Sequence, residues 1–348
     1  MSDQRLSRQE ARDDDARLLH AAARERLVTA AADLRLPQSL RLSEWQRATV
    51  SGILAKLVRA IEDELRTSLS ETAAVQENAP LHAAITSAHV EIAGPILDRS
   101  GAHIERHLVA ALLRRAEEHR RFRTSGTAEN GLLLELIRDS DEAVAEQAMA
   151  IVIAQSRRFD RFSEPVAART ELSAELEHRL VWRVAAALRI YMVGQHGFAP
   201  VAADRAVVAA AERLLAGYDE GDSLEARSLR LVRRLHETGR LTDETLDRAI
   251  SEGTMPLFLA ALAVRNALSQ SSAWEILSDP RGRGAVLLLK AAGVARGRAA
   301  SILLALSGEE AVEGQVDLFD VTDVEAARDA LRLWQLNAGY REAMAEIA

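Results

Sequence analysis

The chain has 348 residues, of which 48% are hydrophobic, 28% are charged and only 4% are aromatic. This composition is typical of a folded protein and argues against intrinsic disorder. The formal net charge of −8 disfavours general nucleic-acid binding, although arginines clustered on one surface would still attract phosphates. The chain has 18 glycines and 7 prolines, few enough to favour long helices over many short strands.

The absence of cysteine excludes disulfides, thiolate nucleophiles and cysteine-ligated metal centres. Residues 1–19 are polar and acidic, and they lack the apolar region of a secretory signal. No uncharged apolar run approaches the ~20 residues that cross a membrane. The closest run, 181–194, is interrupted by Arg183 and Arg189. We therefore expect a cytoplasmic protein with no membrane partner.

Hydrophobic periodicity predicts two helices in the N-terminal part of the chain. The first covers about 15–33. The second begins at Ser43, which has Gln46 three positions later in the spacing of a capping box. Its apolar stripe includes Ile53, Leu57 and Ile61. The two helices are predicted to form a hairpin, 1–75, and the stripe would support a homodimer if packing within the chain leaves it uncovered.

From Asn78 onward, helices of about 10–20 residues alternate with short polar breaks, and no stretch shows the sustained alternation of a strand. Asp139 or Ser140 is predicted to cap a helix that begins near Glu142. Segmented helices with Asp or Ser at their starts and Gly at their ends are typical of stacked helical hairpins. The predicted fold is therefore all-α, with HEAT-like repeats over 76–200 in an α-solenoid.

The C-terminal part divides into two predicted regions. Residues 201–308 form a helical subdomain in which Thr242 and Pro256 mark helix starts. Residues 309–348 comprise an acidic, weakly periodic linker over 309–323 and a terminal amphipathic helix.

Three segments share a pattern with a known family. They are 57–66 (LVRAIEDELR), 90–100 (VEIAGPILDRS) and 241–280. They resemble an uncharacterised bacterial family of HEAT-like helical proteins, domain of unknown function family 2336. The resemblance implies an α-solenoid-like fold and a scaffold or signalling-adaptor role, and it supplies no catalytic residues.

Two histidine patterns have the spacing of metal ligands. His103 and His107 are four residues apart, a spacing that holds a metal ion when both lie on one helix face. Glu175 and His178 have the Glu-x-x-His spacing of carboxylate-bridged di-iron bundles, which need a second such motif. Neither pair has the further ligands that a site requires. We interpret both as solvated helix faces and predict no metal and no cofactor.

Two other segments have weaker patterns. Asp13, Asp14 and Asp15 form an acidic cluster of the kind that binds Mg²⁺, but no partner motif is evident, so a capping or disordered run is favoured. The Arg-Gly-Arg-Gly turn at 281–284 precedes a helix whose free N–H groups would suit an anion. It lacks the Gly-Lys-Ser/Thr of a P-loop, so a simple turn is favoured.

Arginines and one tryptophan form the candidate interaction surface. The first group is Arg114, Arg115, Arg120, Arg121 and Arg123, and the second is Arg157, Arg158 and Arg161. Brought together by packed helices, they would form a basic ridge for a phosphate backbone or an acidic protein. Separate helix faces with local ion pairs are the alternative. Trp334 lies on the predicted terminal helix, which would dock in cis or in trans.

These features favour a non-enzymatic scaffold or signalling adaptor that binds a protein partner. The first alternative is a nucleic-acid-binding helical-repeat protein that uses the arginine ridge. The second is a helical ligand-binding protein or enzyme, which predicts a deep polar pocket with several converging Glu, His or Asp side chains.

Overall fold

A computed structural model describes residues 42–124, 131–160, 163–279 and 281–347 of the chain. Within these ranges the fold is all-helical, as predicted, and its only extended pairing is an isolated antiparallel bridge between Phe159 and Pro165. The helices are α1 (Glu44–Ser70), α2 (Ala73–Gln76), α3 (Ala79–Thr86), α4 (Ala93–Ser100), α5 (Arg106–Thr124), α6 (Gly131–Ile137), α7 (Glu142–Ser156), α8 (Ala174–His196), α9 (Pro200–Ala216), α10 (Leu224–Glu237), α11 (Asp243–Ser251), α12 (Met255–Arg265), α13 (Gln270–Leu277), α14 (Arg283–Ala291), α15 (Arg296–Ser307), α16 (Glu309–Val321), α17 (Val324–Leu331) and α18 (Ala338–Ile347).

Two sequence predictions concern residues 1–41, the helix over about 15–33 and the acidic run Asp13–Asp15, and they lie outside the described residues. None of the helices in the described ranges is both long and apolar enough to cross a membrane.

Polar side chains determine where several helices begin. Ser173 caps α8 and Ser223 caps α10, and each hydroxyl accepts a hydrogen bond from a backbone N–H three residues later. At the start of α11, Thr242 and Thr245 form a reciprocal capping box. The cap of α7 is Asp141, which accepts from the Ala143 N–H at 3.1 Å, so the prediction of Asp139 or Ser140 at this position was wrong.

The apolar stripe of α1 is covered within the chain. Ile53, Leu57 and Ile61 are at most 1% exposed. They belong to a core that also contains side chains of α3, α4, α5, α8 and α9. The stripe is therefore not available for the self-association that its sequence suggested, and the homodimer prediction loses that basis.

A buried ion pair of α1 completes the backbone hydrogen bonding of two neighbouring helices. Glu62 and Arg66 lie one turn apart, and both are buried. The Glu62 carboxylate accepts from the N–H groups of Ile92 (3.0 Å) and Ala93 (2.9 Å) at the start of α4. Arg66 donates to the Ile85 carbonyl near the end of α3 at 2.7 Å. The pair thus satisfies free backbone groups at two buried helix ends.

Two apolar cores form, and they do not follow the order of the chain. The first contains side chains of α1–α5, α8 and α9, and the second contains those of α6, α7 and α10–α17. Helices α6 and α7 stand between α5 and α8 in sequence, yet they pack in the second core. The described residues from Trp45 onward form one compact unit that contains both cores, and the domain boundary predicted at residue 200 stays a prediction.

The acidic segment predicted as a linker is helix α16. Val312, Val316 and Phe319 recur at helical spacing and pack against the second core, where Phe319 is buried. Lys290 of α14 donates to the Phe319 carbonyl at 2.8 Å, and its ammonium lies 4.4 Å from the centre of the Phe319 ring. The linker prediction was wrong because three apolar side chains are enough to bury one face of an otherwise acidic helix.

Helices that are distant in sequence pack against each other. Helix α4 contacts α8, α11 contacts α15, and α5 contacts α12. In a simple solenoid each unit contacts only its neighbours. The HEAT-like stacking therefore stays a prediction.

Candidate interaction cleft

Two of the arginines predicted on an open ridge are buried between the two cores. Arg115 lies on α5 and is 5% exposed, and Arg158 follows α7 and is 4% exposed. The fold thus brings members of both arginine groups together, but on the inside of the molecule.

Arg158 binds three carboxylates that come from three different elements. Its Nη1 donates to Glu118 on α5 at 2.5 Å, its Nε to Glu171 in the 3₁₀ turn Arg169–Glu171 at 2.5 Å, and its Nη2 to Glu225 on α10 at 2.8 Å. Arg114 completes the group, since its Nε donates to Glu118 at 2.9 Å. We name Arg114, Arg115, Glu118, Arg158, Glu171 and Glu225 the ionic cluster. Its three arginines and three glutamates balance in charge.

Arg115 is held by backbone carbonyls and by an aromatic ring. Its Nη2 donates to the Arg158 carbonyl at 2.6 Å and its Nε to the Val166 carbonyl at 3.1 Å. The guanidinium carbon lies 5.5 Å from the centre of the Phe159 ring. Burial, together with repulsion from Arg158, lowers the pKa of Arg115 to about 10, so the group still carries its charge at neutral pH.

The carboxyl groups of the cluster differ in acidity. Burial alone would raise the pKa of Glu118, but attraction from Arg158 and Arg114 outweighs it, and the pKa is lowered. Burial raises the pKa of Glu171, and repulsion from Glu225 adds to this despite the attraction of Arg158. Glu171 is therefore the more easily protonated of these two carboxyl groups when the pH falls.

A cleft of about 800 Å³ opens beside the ionic cluster. Its walls come from α5, the starts of α8 and α10, helix α13 and the first turn of α18. Of its 23 lining residues, eleven are ionisable, and these are His107, Arg114, Arg115, Glu118, Arg158, Glu171, Glu175, Arg179, Glu220, Glu225 and Glu275. The cleft is thus polar and charged, with converging Glu side chains of the kind that the ligand-binding alternative predicts.

The floor and the rim of the cleft carry different charges. The floor is the balanced ionic cluster. At the rim, the side chains of Glu175 and Glu275 are 78% and 51% exposed, and Glu220 is exposed as well. The rim cation Arg179 is paired with Glu105 at 2.9 Å and with Glu175 at 3.4 Å. The charge that faces solvent at the rim is therefore mainly negative.

Trp334 docks within its own chain, next to the mouth of the cleft. It lies in the 3₁₀ turn Arg332–Gln335, which separates α17 from α18, and it packs against the second core. The Arg341 guanidinium of α18 covers the Trp334 ring at 4.8 Å and donates to Ser272 Oγ at 3.2 Å. The predicted single terminal helix is therefore two helices joined by a turn, and Trp334 anchors the second of them.

The remaining residues of the predicted interaction surface are scattered. Arg157 is exposed at the end of α7 and lines a smaller depression of about 260 Å³. Arg120 is exposed and paired with Glu117 at 2.9 Å. The side chains of Arg121 and Arg123, and the whole of Arg161, lie outside the described residues. The described arginines of the two groups do not form the open ridge that the nucleic-acid alternative requires.

The two histidine patterns do not assemble metal sites in the described part of the chain. His103 precedes α5, is buried and lies 3.2 Å from Asp98, so it does not share a helix face with His107. His178 Nε2 accepts a hydrogen bond from the Trp182 indole at 3.1 Å. Within the described ranges, no group of three or more His, Asp or Glu residues is placed to hold a metal ion.

The turn before α14 already contains a carboxylate where an anion would bind. Asp279 accepts from the N–H groups of Arg281 (3.1 Å) and Gly284 (3.2 Å). Gly284 is required for close packing, since a Cβ atom at this position would lie only 1.8 Å from the Ile276 carbonyl oxygen. The turn is therefore structural, and it is not an anion site.

The cleft residues that were not among the sequence candidates include Glu171, Glu225, Gln270 and Glu275. They lie in three separate segments, and each resembles an ordinary surface residue in its local sequence. Only tertiary packing brings them to the cleft, where α10 contacts α7 and α13 forms another wall, so no local signal identifies them.

These features define an all-helical protein with a charged cleft between two cores. The chain belongs to the family described as "uncharacterised protein conserved in bacteria", DUF2336, whose model matches residues 126–337. The match includes the third segment on which the resemblance was based, and the segments 57–66 and 90–100 lie outside it. It also includes the cleft walls from Arg158 to Glu275, whereas the α5 wall lies outside it. No curated protein and no solved structure matches the chain.

Proposed function

We propose that this protein is a non-enzymatic scaffold or adaptor that binds a segment of a partner protein in the cleft beside the ionic cluster. The cleft is the observation that supports this proposal. Small-molecule pockets are mostly apolar with a few polar groups. This cleft has ionisable side chains at eleven of its 23 lining positions, and its rim is open to solvent. Such a surface suits a polar polypeptide segment better than an enclosed metabolite.

The state of the carboxylates supports a binding role over a catalytic one. Glu118, Glu171 and Glu225 all bind Arg158. Glu118 is a poor general base, because the attraction of Arg158 and Arg114 lowers its pKa, and the Glu171 and Glu225 carboxylates are also held in hydrogen bonds from Arg158. The HEAT-like arrangement implied by the family resemblance agrees with a scaffold role, and it belongs to this proposal.

The test uses a matched pair of alanines. Ala110 lines the cleft from α5, and Ala305 lies on α15 away from it; both are exposed. The full-length chain, A110W and A305W are used to capture proteins from bacterial extract, and any captured protein is purified and titrated against all three. We expect A110W to weaken binding at least tenfold and A305W to leave it unchanged. Equal binding of the captured protein by the full-length chain, A110W and A305W would reject the proposal. The proposal would also be rejected if the full-length chain bound a purified small metabolite and A110W did not.

A further inference from the structure

We infer that the partner segment is basic, with arginine or lysine side chains that contact the rim of the cleft. This inference rests on the proposed function and specifies the chemistry of its partner. The inferred binding surface is negatively charged, whereas the arginine-rich sequence suggests a positively charged one.

The first argument is the balance of charge around the cleft. Its lining contains four arginines and six glutamates, which leaves an excess of two negative charges when His107 is neutral. Arg115 and Arg158 are buried and fully engaged in hydrogen bonds to carbonyls and carboxylates. At the rim, Glu175 pairs with Arg179 at 3.4 Å and Glu275 pairs with Arg341 at 3.5 Å, whereas Glu220 has no ion pair among the described residues. A segment that approaches from solvent therefore meets these three exposed carboxylates before it meets the buried arginines.

The second argument is a set of polar atoms without partners in the cleft wall. Gln270 Nε2 is a buried donor that makes no hydrogen bond, and Glu225 Oε2 is a buried acceptor that makes none. Arg114 Nη2 makes no hydrogen bond either, but it lies 3.5 Å from Glu225 Oε1 in an ion pair. Buried polar groups of this kind are nearly always paired in native proteins. A polypeptide supplies both complements, because one of its carbonyls accepts from Gln270 and a basic side chain donates to Glu225.

The third argument is the apolar surface beside these groups. The Trp274 side chain is half-buried in the cleft wall and supplies the accessible apolar surface, because Leu112 and Leu176 in the lining are 1% and 9% exposed. Lysine and arginine stems pack on apolar surface while their charged ends remain polar, and an indole face attracts a cation. An acidic peptide would gain neither contact, and the rim carboxylates would repel it.

Labelled synthetic peptides test the inference by fluorescence anisotropy. The peptides share one length and one set of apolar residues. They differ at a fixed set of positions, which are all Arg, all Lys, all Gln or all Glu. We expect the full-length chain to bind the Arg and Lys peptides about tenfold more tightly than the Gln peptide at low salt, and to bind the Glu peptide most weakly. Equal affinity for the Arg and Gln peptides would overturn the inference, and so would the absence of binding by any peptide.

Two triple variants identify where the charge acts. The rim variant combines Glu175→Gln, Glu220→Gln and Glu275→Gln. The control combines Glu309→Gln, Glu310→Gln and Glu313→Gln on α16. This control variant changes the net charge by the same amount, but at residues that do not line the cleft. We expect the rim variant to bind the Arg peptide about tenfold more weakly than the control does. All six residues are exposed, so folding is retained and thermal unfolding verifies it.

The outcomes separate this inference from the proposed function. If A110W weakens peptide binding while the rim and control variants bind alike, the cleft binds peptides without selecting basic ones, and only the inference fails. If A110W changes neither the binding of any peptide nor the binding of any captured protein, the proposed function fails as well.

Discussion

Arg158 binds three carboxylates and is itself only 4% exposed. Burial alone would lower the pKa of Arg158, but its attraction to Glu171, Glu118 and Glu225 outweighs this and raises it. The charge therefore stays on the arginine, and the cluster is stable only as a complete set. A buried ion network of this kind adds little net stability over an apolar core, but loss of one member leaves the others uncompensated.

We predict that Arg158→Met destabilises the protein by about 3–5 kcal/mol, because Glu118 and Glu171 then remain buried without their cation. Urea unfolding followed by circular dichroism measures the loss. Arg189→Met is the control, since the pair of Arg189 with Asp204 is exposed and its removal should cost less than about 1 kcal/mol. A loss in Arg158→Met no larger than in the control would show that the cluster is not tightly buried in solution.

At the scale of single elements, Arg341 attaches helix α18 to α13 and to the turn that precedes it. Arg341 donates to the Leu336 carbonyl at 2.9 Å and to Ser272, and it covers Trp334. The side chains of Tyr340 and Ile347 on the same helix are 58% and 84% exposed. A ten-residue helix is marginal on its own, so we expect the contacts of Arg341 to be important for its order.

Arg341→Ala is therefore expected to release α18 and leave the rest of the fold intact. Hydrogen–deuterium exchange measured by mass spectrometry should show faster exchange over 338–347, with α12 and α13 unchanged. Arg328→Ala is the matched control, because Arg328 is exposed and pairs with the exposed Glu325 on the same helix, α17. Unchanged exchange over 338–347 in Arg341→Ala would mean that contacts other than Arg341 hold the helix.

The elements themselves were largely predictable from the sequence. The stripe of Ile53, Leu57 and Ile61 predicts α1, and Thr242 predicts the start of α11, because periodicity and capping are local properties. Helix α16 was missed because its acidic residues hide a narrow apolar face. The cleft was not predictable, because Arg158 and Glu225 are separated by 67 positions and meet only through packing of the second core.

At the scale of the whole molecule, ion pairs join the α6–α7 hairpin to α10, α11 and the loop between them. The pairs are Glu135 with Arg248, Asp139 with Arg240, and Asp141 with Arg234. In each, the hydrogen bond from the arginine lowers the pKa of the carboxyl group. Arginine serves throughout because the chain has only two lysines, Lys56 and Lys290.

These pairs predict the direction of the acid response. A carboxyl group with a lowered pKa in the folded state stabilises the protein above its unfolded pKa of about 4, and this stabilisation is lost as the pH falls below it. Glu171 acts in the opposite direction, because its pKa is raised in the folded state. As the pH falls, its protonation therefore stabilises the folded state relative to the unfolded state. Between about pH 5 and pH 3 the three pairs, together with other carboxyl groups of lowered pKa such as Asp204, Asp243 and Asp320, should lose their stabilising effect, and the thermal midpoint should fall.

The variant that combines Glu135→Gln, Asp139→Asn and Asp141→Asn should lose less stability over this pH range than the unaltered protein. Asparagine at position 141 still caps α7, so the change removes the charge and keeps the cap. The α16 triple variant again serves as the control, because it removes three carboxylates for which the structure shows no ion pair. Thermal unfolding from pH 5 to about pH 3 makes the comparison, and Glu171 contributes equally to both variants. If the two variants and the unaltered protein lose the same number of degrees, the pairs between the α6–α7 hairpin and α10–α11 are not formed in solution, and the acid response originates elsewhere in the molecule.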